Sequence, residues 1–242
     1  MHAVSKPDST FIQSMFDRLA GRYDLFNLLT SMGMAKSWRD KALEPLREGM
    51  RMLDLGCGTG DLMLGAAARL RSKGEVVGLD FSEKMLQVAH RRYESAGSPM
   101  NGRFHLVCKA AEELPIEREP YDLVVSGFVL RNLYENIDAI LGGVRRSLKP
   151  GGQISFLDIT EPPGKVRLAL WRFYMNTLVE LYGKALFGKD FPPHYLTESA
   201  DRFVKPPEFI EKLRARGFEN VAVQRFMMGA IVLYRARKAG RP

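Results

Sequence analysis

Between residues 51 and 158 short apolar runs alternate with amphipathic stretches, and this alternation limits the fold more than any other feature of the chain. Met52–Leu55 reads as a strand and 61–71 as a helix. Glu75–Leu79 is a second strand that closes on Asp80, and a helix over 83–95 follows. Phe104–Cys108 is a third strand, and the apolar run Leu123–Ser126 is a fourth, of the kind buried on both faces. A helix over 136–148 stops at Lys149-Pro150-Gly151-Gly152, and Ile154–Asp158 is a fifth strand. Strands joined through helices form a parallel, doubly wound α/β sheet.

The flanks are helical. Residues 9–47 read as two or three helices, with Ser9 or Thr10 capping the first. Phe11, Ile12, Met15, Phe16 and Leu19 recur there at helical spacing. Trp38, Ala42 and Leu43 mark another amphipathic turn before Pro45 and Gly49. Residues 164–187 break the β/α rhythm with one long helix. Lys165, Arg172, Asn176, Glu180 and Lys184 share one face of it; Leu170, Trp171, Phe173, Tyr174, Leu178, Leu181 and Tyr182 fill much of the rest. That apolar arc is wider than packing on one sheet needs, so the helix is either sandwiched in the core or lines an apolar site. A helix near 207–216, with Gly217 just past its end, precedes a closing antiparallel pair, Val221–Phe226 and Ala230–Tyr234.

A length of 242 residues suits one domain in four segments: a helical cap over 1–49, a core over 50–160, a helical cover over 161–205, and a last helix and strand pair over 206–242. Cys57 and Cys108 make neither a disulfide framework nor a metal knuckle, which points to a reducing, cytoplasmic setting. Met1 to Thr10 holds no apolar signal core, and no stretch approaches the roughly 18 apolar residues of a membrane span. The net charge of +8 suggests nucleic acid or an anionic membrane surface as partner. The basic residues Arg235, Arg237, Lys238 and Arg241 read equally well as a solvated tail.

The chemistry concentrates in Leu53-Asp54-Leu55-Gly56-Cys57-Gly58-Thr59-Gly60-Asp61, between a strand and a helix. Its glycines allow a tight turn with a ligand close against the main chain. The third glycine of the dinucleotide pattern GxGxxG is missing. With acids at 54 and 61, the loop suits a cationic amino-acid head better than a pyrophosphate. Asp80, at the end of the next strand, can accept from ribose hydroxyls. Cys57 is a small filler rather than a nucleophile, since no base is placed near it.

Residues 53–61, Gly78-Leu79-Asp80, Tyr121-Asp122 and Leu148 to Gly152 together resemble the class I S-adenosylmethionine methyltransferases. Narrower motifs resemble the menaquinone/ubiquinone biosynthesis C-methyltransferases. They are Phe16 to Asp24 with Asn27 and Leu28, Ser31-Met32-Gly33, Trp38-Arg39, Phe128-Val129-Leu130-Arg131-Asn132-Leu133, Tyr195-Leu196-Thr197-Glu198-Ser199, and Gly229 to Lys238. The resemblance spans about residues 11 to 238. It implies a mostly parallel seven-stranded, Rossmann-like sheet and an S-adenosylmethionine site at Asp54, Gly56, Gly58, Thr59 and Gly60, with Asp80 on the ribose. Phe81, Ala110, Ala111 and Gly127 are implied to border the cofactor; Tyr23, Arg131 and Asn132 are implied to face a prenylated quinol. Val129 departs from a usual glycine, Ala110 from an Asp or Asn near the adenine, and Tyr234 from a histidine. These departures bear on the substrate more than on the reaction.

Methylating a ring carbon requires a phenolate-like ring held in line with the methyl donor. Arg131 suits the oxyanion but not a base, because guanidinium stays protonated. Asn132 and Tyr23 suit the ring hydroxyls, and Asp158 and His194 are alternative proton acceptors. The expected reaction is demethylmenaquinol to menaquinol. The alternatives are benzoquinol C-methylation, O- or N-methylation of another small hydrophobic acceptor, and a scaffold that binds the cofactor without catalysis. No aromatic–basic platform for RNA stands out, so no nucleic-acid partner is expected. The helix over 164–187 gains a purpose as cover for a prenyl tail, the basic surface as a peripheral contact with anionic membrane, and an oligomer is left open.

Overall fold

The computed structural model describes residues 9–71, 73–97, 100, 102–114, 119–203 and 205–240, and of residues 9–13 the backbone alone. Arg241, the capping side chains of Ser9 and Thr10, and the side chains of Phe11 and Ile12 lie outside what is described. In chain order come α1 (Ser9–Leu19), α2 (Tyr23–Thr30), α3 (Ala35–Ala42), β1 (Arg51–Leu55), α4 (Asp61–Leu70), β2 (Glu75–Asp80), α5 (Glu83–Ser95), β3 (Phe104–Cys108) and β4 (Tyr121–Gly127). They are followed by α6 (Ile137–Ser147), β5 (Leu148–Ile159), α7 (Lys165–Tyr174), α8 (Glu180–Phe187), α9 (Tyr195–Arg202), α10 (Pro206–Ala215), β6 (Phe218–Phe226) and β7 (Ile231–Lys238).

The strands form one seven-stranded sheet in the order β3-β2-β1-β4-β5-β7-β6. β1 to β5 run parallel, and β7 pairs antiparallel with both β5 and β6. Both faces are covered. One carries α6 and α10, through Ile137, Ile140, Leu141, Val144, Phe209 and Leu213. The other carries α3, α4 and α5, through Trp38, Leu43, Leu62, Met63, Leu70 and Leu86. Burial on both sides explains why β1, β2 and β4 read as continuous apolar runs. Close packing also fixes Gly78 in β2: a Cβ there would lie 2.1 Å from Met63 Sδ and 2.8 Å from Cys57 Sγ.

Several local expectations change. β5 begins at Leu148 and runs through the Lys-Pro-Gly-Gly turn, with a register shift against β4 and Gly151 at φ 72°. β7 continues to Lys238, so Arg235, Arg237 and Lys238 are strand residues rather than a tail. Arg235 pairs with Glu44 at 2.8 Å, and Lys238 donates to the Leu148 carbonyl. Tyr234, one of the departing residues, is buried in the core against Phe209 and lines neither cavity described below.

The long helix is continuous, but α7 and α8 are joined by a π-turn, Met175–Val179. The wider turn shifts the phase of everything after it. Glu180, expected on the polar face, is buried and accepts from the His194 amide, whereas Leu170, Phe173, Leu178 and Leu181 are exposed. The helix is therefore not sandwiched. It turns only Trp171, Met175, Val179, Glu180 and Gly183 fully inward. Among the described residues no helix is long and apolar enough to cross a membrane.

Candidate active site

In a doubly wound sheet, ligands bind beyond the carboxyl ends of the strands, where the strand order reverses. Here that point lies between β1 and β4. The turns after β1, β2 and β4 wall a cavity of about 680 Å³, within the roughly 300–1,000 Å³ typical of ligand pockets.

After β1 the chain turns through Gly56, Gly58 and Gly60 at φ 72°, 52° and 87°, and α4 starts at Asp61. The Gly56 and Cys57 amides both donate to the Leu79 carbonyl, at 2.7 and 3.0 Å, which holds the loop against the end of β2. A Cβ on Gly56 would lie 2.6 Å from Val129 Cγ1, so the departing valine packs directly on the glycine loop. Asp80 accepts from the Gly58 amide at 2.8 Å and the Ser82 amide at 2.9 Å, and the Phe81 amide also acts on it. A carboxylate has about four lone-pair sites, so it keeps capacity for a ligand hydroxyl. Asp54, Gly56, Gly58, Thr59, Phe81, Ala110, Ala111 and Gly127 line the cavity as expected by position; Gly60 does not. Gly60 is the left-handed residue that starts α4 and packs on Ala89.

Asp54 is the strongest sign of a ligand. It is 1% exposed, and neither carboxyl oxygen makes a hydrogen bond of ordinary geometry, the Met63 amide acting on it only weakly. Burial, then the neighbouring Asp80 charge, pushes its pKa up to about 8. A buried acid without a partner is costly, and a cationic group on the cavity side would relieve that cost. The pH dependence follows. Below about pH 4 the acid is protonated in folded and unfolded chains alike; between about 4 and 8 only the unfolded chain ionises, so Asp54 costs about 1.4 kcal/mol of stability per pH unit. Thermal denaturation of the ligand-free protein is expected to show this stability falling from pH 5 to pH 8, with a shallower slope in Asp54→Asn. An unchanged slope in the variant would remove Asp54 as its source.

Asp61 does not play the part its sequence position suggests. Arg39 and Arg92 already neutralise it, at 3.0 and 2.7 Å. These arginines belong to a clamp between the N-terminal helices and the loop. Thr59 Oγ1 donates to Asp24 at 2.6 Å, Arg92 pairs with Asp24 at 3.1 Å, and Ser82 Oγ donates to Asp17. Cys57 is buried and its thiol pKa is pushed well up by burial, which leaves it a filler.

Beyond β4 the backbone is forced. Phe128 sits at φ 65°, a conformation that costs a non-glycine residue energy and recurs at functional sites. The turn brings Arg131 to the cavity wall with its side chain only 3% exposed. Asp158, at the end of β5, accepts from Arg131 Nη1 at 2.9 Å and from its amide at 3.0 Å, and also from the Ile159 amide at 2.7 Å. With both oxygens so engaged, Asp158 orients Arg131 and is not a free base. Arg131 Nε reaches Ser199 at 3.3 Å and Nη1 also meets the Phe128 carbonyl; Nη2 has no hydrogen-bond partner among the described residues. Tyr195, its phenol pushed up to about 12 by burial, donates to Asn132 Oδ1 at 2.9 Å and so leaves the Asn132 amide donors for a ligand. His194 is exposed, beside Asn176 and Glu180, and lines neither cavity.

A second, apolar chamber of about 90 Å³ adjoins, with Met15, Phe26, Trp38, Trp171, Met175 and Phe191 in its walls. Phe16, Tyr23, Arg39, Phe128, Arg131 and Tyr195 line both spaces. Burial raises the Tyr23 phenol pKa, while Arg131 and then Arg39 pull it down. Arg39, Tyr195 and Ser199 lie in sequence motifs that by themselves give them no role; their contacts with Asp61, Asn132 and Arg131 supply one.

The match to a family model runs over residues 4–238, and the family is described as the ubiE/COQ5 methyltransferase family. The chain belongs to that family. It is 33% identical over 233 residues to the demethylmenaquinone methyltransferase of Lactiplantibacillus plantarum, covering 95% of this chain and 97% of that one. It is 31% identical over 229 residues to the ubiquinone/menaquinone biosynthesis C-methyltransferase UbiE of Geotalea daltonii, covering 94% and 96%. Among solved structures, a SAM-dependent methyltransferase from Aquifex aeolicus shares the fold at TM-score 0.62 and 18% identity, covering 94% of this chain and 98% of that one. The [4+2]-cyclase SpnF shares it at TM-score 0.70 and 18% identity, covering 97% of each. A cyclase on this fold shows why membership in the ubiE/COQ5 family, and not the fold, identifies the chain as a methyltransferase.

Proposed function

We propose that this member of the ubiE/COQ5 family transfers the methyl group of S-adenosylmethionine to a ring carbon of a prenylated quinol. Demethylmenaquinol is the first acceptor; a benzoquinol of ubiquinone synthesis is the second. The names of the relatives support the acceptor class. The observation that carries the reading is the junction of the two spaces, where Arg131 borders a polar cavity floored by Asp54 and Asp80 and an apolar chamber at once.

S-adenosylmethionine, when bound, supplies a methyl group on a positively charged sulfur. Asp54 fits its ammonium, Asp80 its ribose hydroxyls, and Phe81, Ala110, Ala111 and Gly127 border the remainder. The quinol ring would lie against Tyr23, Phe128 and Arg131, with its hydroxyls toward Arg131 Nη2 and Asn132. At Tyr23 burial outweighs the arginines and the phenol pKa is raised; Arg131 and Arg39 act the other way, and would offset part of the same burial cost for a quinol phenolate beside them. The ring carbon gains a methyl group and one proton leaves per turnover; water takes that proton, since Asp158 is held in an ion pair with Arg131 and Arg131 stays charged. Under this proposal residues 1–49 are the cap and 161–205 the acceptor cover of a cytoplasmic enzyme in peripheral contact with an anionic membrane. Asp17–Ser82 and Asp24–Thr59 would latch the cap over the cofactor.

The test follows label from methyl-labelled S-adenosylmethionine into reduced short-chain demethylmenaquinone, a benzoquinol analogue and total RNA in parallel. Label in a quinol supports the reading and chooses the ring. Label in RNA, or in neither quinol, overturns the acceptor.

A further inference from the structure

Every large apolar side chain exposed among the described residues lies in one of three places: Leu25, Leu28, Leu29, Met32 and Met34; Val166, Leu170, Phe173, Leu178 and Leu181; and Met228. Scattered exposure needs no explanation, but confinement of this kind does. The first two groups sit on touching elements, since Tyr174 Oη donates to the Thr30 carbonyl at 2.8 Å and Arg22 Nη1 to the Leu186 carbonyl at 2.8 Å. Phe173 is 68% and Val166 73% exposed, while the inner faces of the same segments wall the apolar chamber through Phe26, Thr30, Trp171 and Met175.

We propose that the outer face of α2 and of the helix through α7 and α8 docks on the surface of an anionic phospholipid bilayer. The inference rests on the prenylated-quinol reading for its purpose, and on three observations for its occupant. First, the inner faces of α2 and of the long helix wall the apolar chamber, so their apolar outer faces lie one helix away from the space a prenyl tail would enter. A bilayer on that face would receive the part of a prenyl tail that the chamber does not hold. Secondly, Lys165, Arg167 and Lys189, at the two ends of the long helix, make no ion pair among the described residues, whereas the nearby acids are taken: Asp190 by Arg18, Glu161 by Arg172, and Glu180 by Lys184. Uncompensated cations beside apolar side chains match anionic headgroups over acyl chains. Thirdly, a two-fold pair of copies through this face would set like patches together and oppose the same cations, so the charge favours lipid over a second copy.

Two variants test it in the full-length protein: Phe173→Ser/Leu181→Ser on the apolar stripe and Lys165→Glu/Arg167→Glu at its end. All four positions are exposed, so folding should survive, as a thermal melt would verify. The probe is co-sedimentation with vesicles of equal parts phosphatidylcholine and phosphatidylglycerol, against phosphatidylcholine alone. The wild type should bind the anionic vesicles. The serine pair should lose about tenfold or more on both compositions, because two large apolar side chains no longer leave water on docking. The glutamate pair should weaken the anionic case alone. Unchanged binding by both variants overturns the proposal, as does a wild-type dimer that the serine pair converts to single chains. Transfer to a water-soluble short-chain quinol separates this from the acceptor reading: Lys165, Arg167, Phe173 and Leu181 face away from the acceptor cover's inner side and line neither cavity, so it should be equal in wild type and variants. Its absence in a wild type that still docks through these residues would sink the acceptor and spare the surface.

Discussion

Arg131→Ala is expected to slow methyl transfer by about 100-fold or more and to destabilise the protein by about 3–5 kcal/mol, the usual cost of breaking one side of a buried ion pair. The stability loss comes from Asp158, which would keep its bonds to two backbone amides but lose the guanidinium that neutralises it at 1% exposure. The catalytic loss has another origin. Arg131 is the only cation on the wall of both spaces whose guanidinium is itself buried, among the described residues, and it keeps one nitrogen for a ligand. Removing one donor to a developing oxyanion typically costs about 100- to 1,000-fold in rate. The two origins separate in Arg131→Leu/Asp158→Asn. Removing both charges together leaves no unpaired buried ion, and the asparagine oxygen still accepts from one of the two backbone amides. That variant is expected to melt closer to the wild type than Arg131→Ala does, to bind S-adenosylmethionine normally, and to be inactive. A folded double variant that transfers methyl at the wild-type rate would reduce Arg131 to a structural residue.

Asp80→Ala is expected to weaken S-adenosylmethionine binding by about 100-fold or more, read by titration calorimetry. Two ribose hydroxyls lose a charged acceptor, and hydrogen bonds to charged groups contribute roughly 1.5–3 kcal/mol each. The Gly58 and Ser82 amides lose theirs as well, so the glycine loop is less well held at the moment of binding. Stability of the ligand-free protein should fall far less than affinity, because burial already raises the Asp80 pKa against its amide bonds and the carboxylate is expensive to keep. Affinity unchanged in Asp80→Ala would place the ribose elsewhere in the cavity.

The parts of the molecule that were legible in sequence are those governed by short-range pattern. The alternation of apolar strands with helices and the left-handed glycines after β1 depend on nearest neighbours, and they appear where expected. Contacts between distant segments were not legible. Asp61 reads as a spare acid until Arg39 and Arg92 are brought to it, and Gly60 reads as a ligand contact until Ala89 is found against it. Asp158 reads as a candidate base until Arg131 folds onto it. The helix expected over 164–187 departs from its wheel at Glu180 for a physical reason: a single π-turn rotates the residues after it, so a wheel drawn at a constant angle places Glu180 in solvent when it is buried. Arg131, Asn132 and Tyr23 could be named only through family resemblance, because nothing in spacing alone marks an arginine that will be held beneath a strained phenylalanine.

The central claim is that methyl goes to carbon. Nuclear magnetic resonance of the product made from ¹³C-methyl S-adenosylmethionine and reduced demethylmenaquinone decides it. The account requires a methyl carbon bonded to the naphthoquinol ring, with the free hydroxyls intact. A methyl carbon bonded to oxygen, with the ring hydrogen retained, would contradict it.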